Sequence, residues 1–121
     1  MYQHNNAYQV YESNQVNTAP KGRLLLMLYD GALKFLKQAK KAMEVNDVPR
    51  AHESLIKAED IICALMDTLN TDAGSIADNL YALYDYIYRE MVNANIHKDK
   101  EKVDQIYDMV QDLRNTWAEI V

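Results

Sequence analysis

The sequence predicts an all-α protein, an antiparallel up-down four-helix bundle preceded by a mobile N-terminal arm. Three observations predict this fold. Apolar residues recur at steps of three and four over four long stretches, and no stretch alternates with the period of two that a half-buried strand shows. The 121 residues include only 3 glycines and 2 prolines, so turns are few and helices are long. We therefore divide the chain into an arm, residues 1–18, and a bundle, residues 19–121. The predicted helices span about residues 20–45, 49–69, 75–95 and 99–120.

Local signals mark where the helices begin. Pro49 suits the first position of the second helix, where a missing N–H costs nothing. Ser75 followed by Asp78 resembles a capping box that opens the third helix. Asp99 is a good N-cap for the fourth. Short connections between long helices make consecutive helices antiparallel, with crossing angles of about 20°.

The N-terminal arm, residues 1–18, has no helical period. It is rich in Asn and Gln but also carries Tyr8, Val10, Tyr11 and Val16. Because disordered tails are poor in aromatic residues, we interpret this segment as a mobile arm with apolar anchors.

The third predicted helix carries more apolar surface than one core requires. Tyr81, Tyr84 and Tyr88 follow the i, i+3, i+7 pattern and form one stripe along it. An adjacent aliphatic stripe contains Ile76, Leu80, Leu83, Ile87 and Met91. Since a bundle helix needs a single apolar stripe about 100° wide, we expect another part of the chain or a partner to cover the tyrosines. Tyr86 points to the opposite side and has no assigned role.

Composition narrows the classes of function. The net charge of −5 argues against nucleic acid or anionic lipid as the main partner. No apolar run reaches the roughly 20 residues of a membrane span, so no membrane insertion is expected. The polar N-terminus is unlike a signal peptide, and the single Cys63 fits a reducing compartment, so we expect a cytoplasmic protein. Cys63 lies beside the core stripe and is interpreted as a small packed residue.

We find no pattern typical of a metal site, cofactor site or catalytic site. A di-iron bundle needs Glu-x-x-His, and none of His4, His52 and His97 has Glu three positions earlier. His97 and Lys100 match a His-x-x-Lys phosphotransfer pair in spacing, but they fall in a predicted loop. We therefore expect no metal, no cofactor and no enzymatic activity.

Two charged stripes lie on the predicted helices, and we interpret both as solvated faces. The acidic stripe, on the fourth helix, contains Asp104, Asp108 and Asp112. The basic stripe, on the first helix, contains Lys34, Lys37 and Lys41.

Six segments carry a resemblance to a known family; they are residues 6–11, 16–19, 26–32, 79–89, 94–96 and 113–117. In this order, they resemble the flagellin-specific export chaperones, the flagellar secretion chaperone (FliS) family. The resemblance covers nearly the whole chain. One departure is that Pro20 stands one position earlier than the family usually places it, so the start of the first helix is unusual, and Lys21 and Arg23 there oppose the helix dipole.

The resemblance implies a cytoplasmic chaperone in flagellum biogenesis. It would bind the C-terminal, filament-forming segment of flagellin, prevent premature polymerisation and aid delivery to the flagellar type III export apparatus. The implied partners are flagellin and a component of the export gate; whether other flagellar regulators also bind is left open. Physically, such a segment would dock as a helix in a groove.

We assign candidate contacts on this basis. The flagellin-binding candidates are Leu25, Leu28, Tyr29, Tyr81, Tyr84 and Tyr88. The arm would cover the same groove through Tyr8, Val10 and Tyr11. The leading alternative is a self-assembling structural bundle, in which the tyrosine stripe is the interface between identical chains.

Overall fold

The computed structural model describes residues 21–69 and 74–121, and this part of the chain forms four helices and no strand. The helices are α1 (Lys21–Glu44), α2 (Val48–Asp67), α3 (Ser75–His97) and α4 (Lys100–Ile120). The predicted all-α class is confirmed. The arm, residues 1–18, lies outside the described residues, and so do its proposed anchors Tyr8, Val10 and Tyr11.

The N-termini of α2 and α4 are capped by aspartate side chains. The Asp99 carboxylate accepts a hydrogen bond from the Lys102 backbone N–H at 3.1 Å, as the sequence predicts. Asp47 does the same for the Arg50 N–H at 3.2 Å, so α2 begins one residue before Pro49. Pro49 still lies in the first turn, where helical N–H groups have no partner within the helix.

The capping box predicted for α3 is wrong. The N-cap is Gly74, with φ of 104°, and no side chain caps this helix start. Ser75 is therefore already the first helical residue. The left-handed conformation of Gly74 explains the difference, because glycine adopts it without steric cost and redirects the chain into the helix.

The helices form a ring in which α1 contacts α2 and α4, and α3 contacts α2 and α4. Three ion pairs join α1 to α4 and show that the two run antiparallel, because residue numbers rise along α1 as they fall along α4. The pairs are Asp30 with Arg114 at 2.9 Å, Lys40 with Asp104 at 2.8 Å, and Glu44 with Lys100 at 3.9 Å. The sequence predicts that Asp104 lies on a solvated face. In the structure it lies opposite α1, where Lys40 is its partner.

Small residues line the contact between α1 and α2. Ala32, Ala39, Ala42, Ala51 and Ala58 are all buried there. Gly31 extends this series, since a Cβ on it would lie only 3.1 Å from Ile61 Cδ1. At the edge of the same contact, the Lys57 ammonium lies 5.5 Å from the centroid of the Phe35 ring. Small side chains therefore let these two helices pack closely.

Two tyrosines, Tyr29 of α1 and Tyr84 of α3, meet at the centre of the bundle. Both are fully buried, and their hydroxyls hydrogen-bond to each other. The ring centroids are 6.4 Å apart with the planes tilted by 49°. Burial raises the pKa of both hydroxyls, and hydrogen bonding with Trp117 opposes that shift in each. Each hydroxyl thus has a partner in a place where an unpaired polar group would be costly.

We expect Tyr29→Phe to lower the free energy of unfolding by about 1–3 kcal/mol, because it deprives the buried Tyr84 hydroxyl of its tyrosine partner. The double variant Tyr29→Phe/Tyr84→Phe should lose less than the sum of the single variants, since it removes both hydroxyls together. Urea unfolding followed by circular dichroism measures these values.

Tyr86→Phe is the matched control, because Tyr86 is 50% exposed and its hydroxyl reaches solvent. It should change the stability by less than about 0.5 kcal/mol. Strict additivity of the two core substitutions would contradict the coupled pair.

Candidate partner-binding face

The seam between α2 and α3 carries the exposed part of the tyrosine cluster. Seven-residue steps place three residues along each helix in opposite order: His52, Glu59 and Met66 on α2, and Asn95, Tyr88 and Tyr81 on α3. The Asn95 side-chain amide hydrogen-bonds the His52 ring nitrogen Nδ1 at 2.9 Å, which fixes the register at one end. Because the helices are antiparallel, Glu59 then lies level with Tyr88, and Met66 with Tyr81. We call this seam the α2–α3 face.

Exposure on this face rises from Tyr88 to Tyr81. Tyr88 is half-buried and packs against the core, whereas Tyr81 is 44% exposed. Met66 also packs on the core from the α2 side. Half-covered tyrosine rings with reachable hydroxyls suit a surface that is wet in one state and buried in another.

Three candidate residues lie inside the bundle instead of on a shared surface. Leu28, Tyr29 and Tyr84 are 3%, 0% and 1% exposed. Leu25 is half-buried and packs on the core from the start of α1. The structure therefore brings together only Tyr81 and Tyr88 on the α2–α3 face, out of the six residues named from the sequence.

Tyr84 does not share the α2–α3 face with Tyr81 and Tyr88, because the chain's own core covers it. Ala77, Tyr84 and Met91, at seven-residue steps, are all buried. The side of α3 that faces the core therefore lies between the tyrosine stripe and the aliphatic stripe. Tyr84 consequently points at the core, while its two neighbours turn towards α2.

Glu59 is a candidate that the sequence analysis did not single out. Its side chain is buried, at 7% exposure, and its Oε2 atom has no hydrogen-bond partner within residues 21–69 and 74–121. Burial raises the pKa of Glu59 to about 7, and the nearby Asp60 charge adds to that shift. The only sequence signal that Glu59 is buried is its position one turn after Leu55, which belongs to the apolar core stripe of α2.

Tyr88 and Glu59 interact electrostatically across the seam between α2 and α3. Burial raises the pKa of Tyr88, and the Cys63, Glu59 and Asp60 groups raise it further. The α2–α3 face thus combines two aromatic rings with a buried acid that carries an unused acceptor atom.

Cys63, expected to be packed, is exposed on α2. It is one residue beyond the buried Ile62, and this rotation takes it out of the core. Partial burial and then the charges of Asp60, Asp67 and Glu59 raise the pKa of its thiol. The thiol is therefore protonated near neutral pH and a weak nucleophile.

Other groups considered in the sequence analysis have ordinary surroundings. His97 is the last residue of α3 and Lys100 the first of α4, so their pair spans a turn between helices. In residues 21–69 and 74–121 no group of three or more His, Cys, Asp or Glu side chains is placed to hold a metal ion. None of the helices in this part combines the length and the apolar character needed to cross a bilayer.

The fold is therefore a four-helix bundle with partly exposed aromatic side chains along one seam. The chain belongs to the family described as "Flagellar protein FliS", whose model matches residues 4–121. The resemblance seen in the sequence is thereby confirmed, and the family is one of flagellar secretion chaperones, which is not a class of enzymes.

Curated relatives agree with this assignment. The chain is 42% identical over 116 residues to the flagellar secretion chaperone FliS of Bacillus subtilis, covering 96% of this chain and 86% of that protein. It is 33% identical to the chaperone of the same name from Salmonella typhimurium, covering 93% and 84%. A crystal structure of a bacterial flagellar chaperone superposes with a TM-score of 0.77 at 22% identity, covering 95% of this chain and 94% of that one, which supports the fold.

We expect Glu59→Gln to stabilise the protein above neutral pH. As pH rises from 4.5 to about 7, the glutamate ionises in the unfolded chain but stays protonated when folded, so the unfolding free energy falls. The neutral, isosteric glutamine removes this loss. The gain at pH 8 should reach up to about 3 kcal/mol and shrink towards zero near pH 4.

Urea unfolding of both proteins between pH 4 and pH 8 measures this difference. Glu119→Gln is the matched control, because Glu119 is exposed on α4. Its stability curve should run parallel to that of the parent. Parallel curves for Glu59→Gln as well would show that Glu59 ionises normally in the folded state.

Proposed function

We propose that this chain binds the C-terminal segment of flagellin through the α2–α3 face. Binding in the cytoplasm would keep flagellin from polymerising before export and would bring it to the flagellar type III export apparatus. The observation that carries the proposal is the half-covered pair Tyr81 and Tyr88 on a member of the flagellar secretion chaperone family.

The chemistry of the face supports an amphipathic helical segment as the ligand. The two rings are about two turns apart on α3, so they match apolar side chains at i and i+7 on a docked helix. Met66 widens the apolar strip from the α2 side. Tyrosine contributes large contact area at a low cost in side-chain entropy.

Glu59 supplies a polar element within this apolar strip. Its unpaired Oε2 is buried beside Tyr88. A hydroxyl, amide or ammonium on the ligand would satisfy this atom once the Glu59 side chain turns outward to meet it, whereas a purely apolar ligand would leave it unpaired. Such a requirement favours one register of the ligand over others, because a buried unsatisfied acceptor costs about 1–3 kcal/mol.

The core residues Leu28, Tyr29 and Tyr84 have a supporting role in this proposal. Their burial orients α1 and α3, and so sets where Tyr81 and Tyr88 stand. Leu25 at the start of α1 is half-buried and remains a proposed contact.

We expect the double variant Tyr81→Ala/Tyr88→Ala to bind a flagellin C-terminal peptide about 30- to 1,000-fold more weakly, because each lost aromatic anchor is worth about 1–2 kcal/mol. Helicity should be retained, since neither ring is fully buried. Calorimetry gives the affinity, and circular dichroism gives the helicity.

Tyr86→Ala removes an equally large ring from another side of α3 and is the matched control. It should leave the affinity within about twofold. Unchanged affinity of the double variant would show that flagellin does not contact this face. A closed dimer in light scattering that dissociates in the double variant would assign the face to self-assembly.

The proposal includes the arm as an internal competitor for the same face, an idea that rests on the sequence of residues 1–18. Deleting residues 1–15 should maintain or raise affinity for the flagellin peptide, since occupancy by the arm reduces the fraction of binding-competent molecules. It should also increase aggregation, because apolar surface is uncovered.

The full-length variant Tyr8→Ser/Val10→Ser/Tyr11→Ser provides the control for chain length. It should reproduce the effect of the deletion on the affinity measured by calorimetry. A sharp loss of affinity in both proteins would mean that the arm contacts flagellin directly.

A further inference from the structure

A second groove runs along the seam between α1 and α4, on the opposite side of the bundle from the α2–α3 face. Its volume is about 530 Å³. The ion pair between Asp30 and Arg114 closes one part of it, and the Lys37 ammonium lies 6.0 Å from the centroid of the Tyr107 ring in another. We call it the α1–α4 groove.

This groove is positively charged in a chain whose net charge is −5. Lys34, Lys37, Lys41 and Arg114 line it, and Asp30 is the only carboxylate among the described residues of its lining. Asp30 already accepts hydrogen bonds from the Arg114 guanidinium at 2.9 and 3.5 Å. The three lysines therefore supply the net charge of the groove.

The ammonium groups of these lysines are available to a ligand. All three side chains are exposed, and no carboxylate in the described part of the chain lies within 4.0 Å of them. The neighbouring Asp104 and Asp108 act instead on Lys40, whose pKa is raised mainly by its hydrogen bond to Asp104. Lys34 also lies 5.3 Å from the Phe35 ring centroid, a contact that orders its stem.

The spacing of the lysines matches a helical ligand. Lys34, Lys37 and Lys41 follow i, i+3, i+7 along α1, so all three project from one side of that helix. The Lys34 ammonium lies near Phe35 and the Lys37 ammonium near Tyr107. Next to these lysines, Leu33 and the half-buried Tyr107 ring add apolar lining. A ligand with carboxylates at the same spacing and an apolar residue between them would complement both features.

The geometry points to the α1–α4 groove as a second docking site, for an acidic helical segment of a partner protein. The site is independent of the proposed flagellin contact and goes beyond it. A short segment fits the volume, whereas extended polyanions such as RNA or an anionic membrane would also meet the acidic remainder of the chain and be repelled.

The test uses the full chain and a 16-residue helical peptide with glutamates at i, i+3 and i+7 and a leucine between them. Fluorescence anisotropy should show micromolar binding that weakens as the salt concentration rises from about 50 to 300 mM. The matched peptide with glutamines should bind at least tenfold more weakly. The variant Lys34→Gln/Lys37→Gln/Lys41→Gln should also lose about tenfold, because three exposed ion pairs of about 0.5 kcal/mol each are removed.

The variant Arg50→Gln/Arg89→Gln/Lys100→Gln loses the same charge outside the groove and should bind the acidic peptide within about twofold of the parent. Equal losses of affinity in both triple variants would show that binding depends on net charge alone, and would overturn the site. Tighter binding of a single-stranded RNA or of phosphatidylserine vesicles through the same lysines would overturn the class of ligand.

The flagellin C-terminal peptide separates this inference from the proposed function. The lysine variant should bind it as the parent does. Loss of that binding would show that flagellin also binds the α1–α4 groove, and would overturn the claim that the two sites are independent. Failure of the unaltered chain to bind flagellin would instead concern only the proposed function.

Discussion

The arrangement of the bundle depends on the hydrogen bond between Tyr29 and Tyr84. Two fully buried hydroxyls on α1 and α3, which are not neighbours in the ring of helices, need each other as partners. The pair bridges the centre of the ring and holds the Tyr84 side of α3 towards the core. Once Tyr84 points inward, Tyr81 and Tyr88 must turn towards α2. The chemistry of the core thus decides which aromatic rings a ligand can reach.

The two seams that α1 forms, one with α2 and one with α4, are built from different interactions. Alanines and Gly31 bring α1 close to α2, whereas ion pairs of alternating direction join α1 to α4. Exposed ion pairs contribute little stability each. They do oppose sliding, because a shift by one turn would bring Lys40 opposite Lys100 in one direction and Glu44 opposite Asp104 in the other. Close packing therefore stabilises one seam, and charge sets the register of the other.

The sequence predicts the number of helices and most of their limits, because amphipathic periodicity persists over 20 or more residues in each. Local signals were less reliable: Asp99 caps α4 as expected, but Ser75 does not cap α3. The candidate site was predicted only in part. Periodicity shows that residues share a stripe, but neighbouring helices decide which stripe faces inward, so Tyr84 was misplaced. Glu59 was missed because an acid is ordinarily solvated.

The position of Glu59 has a consequence for the heat of binding. A carboxyl group with a pKa of about 7 is only partly ionised near neutral pH. A ligand that buries it beneath apolar groups draws protons from the buffer, whereas a ligand that offers it a cation releases protons. The enthalpy observed at one pH then depends on the ionisation heat of the buffer. Comparing phosphate with Tris would count the exchanged protons and give their direction, which reports the chemistry of whatever group lies over Glu59.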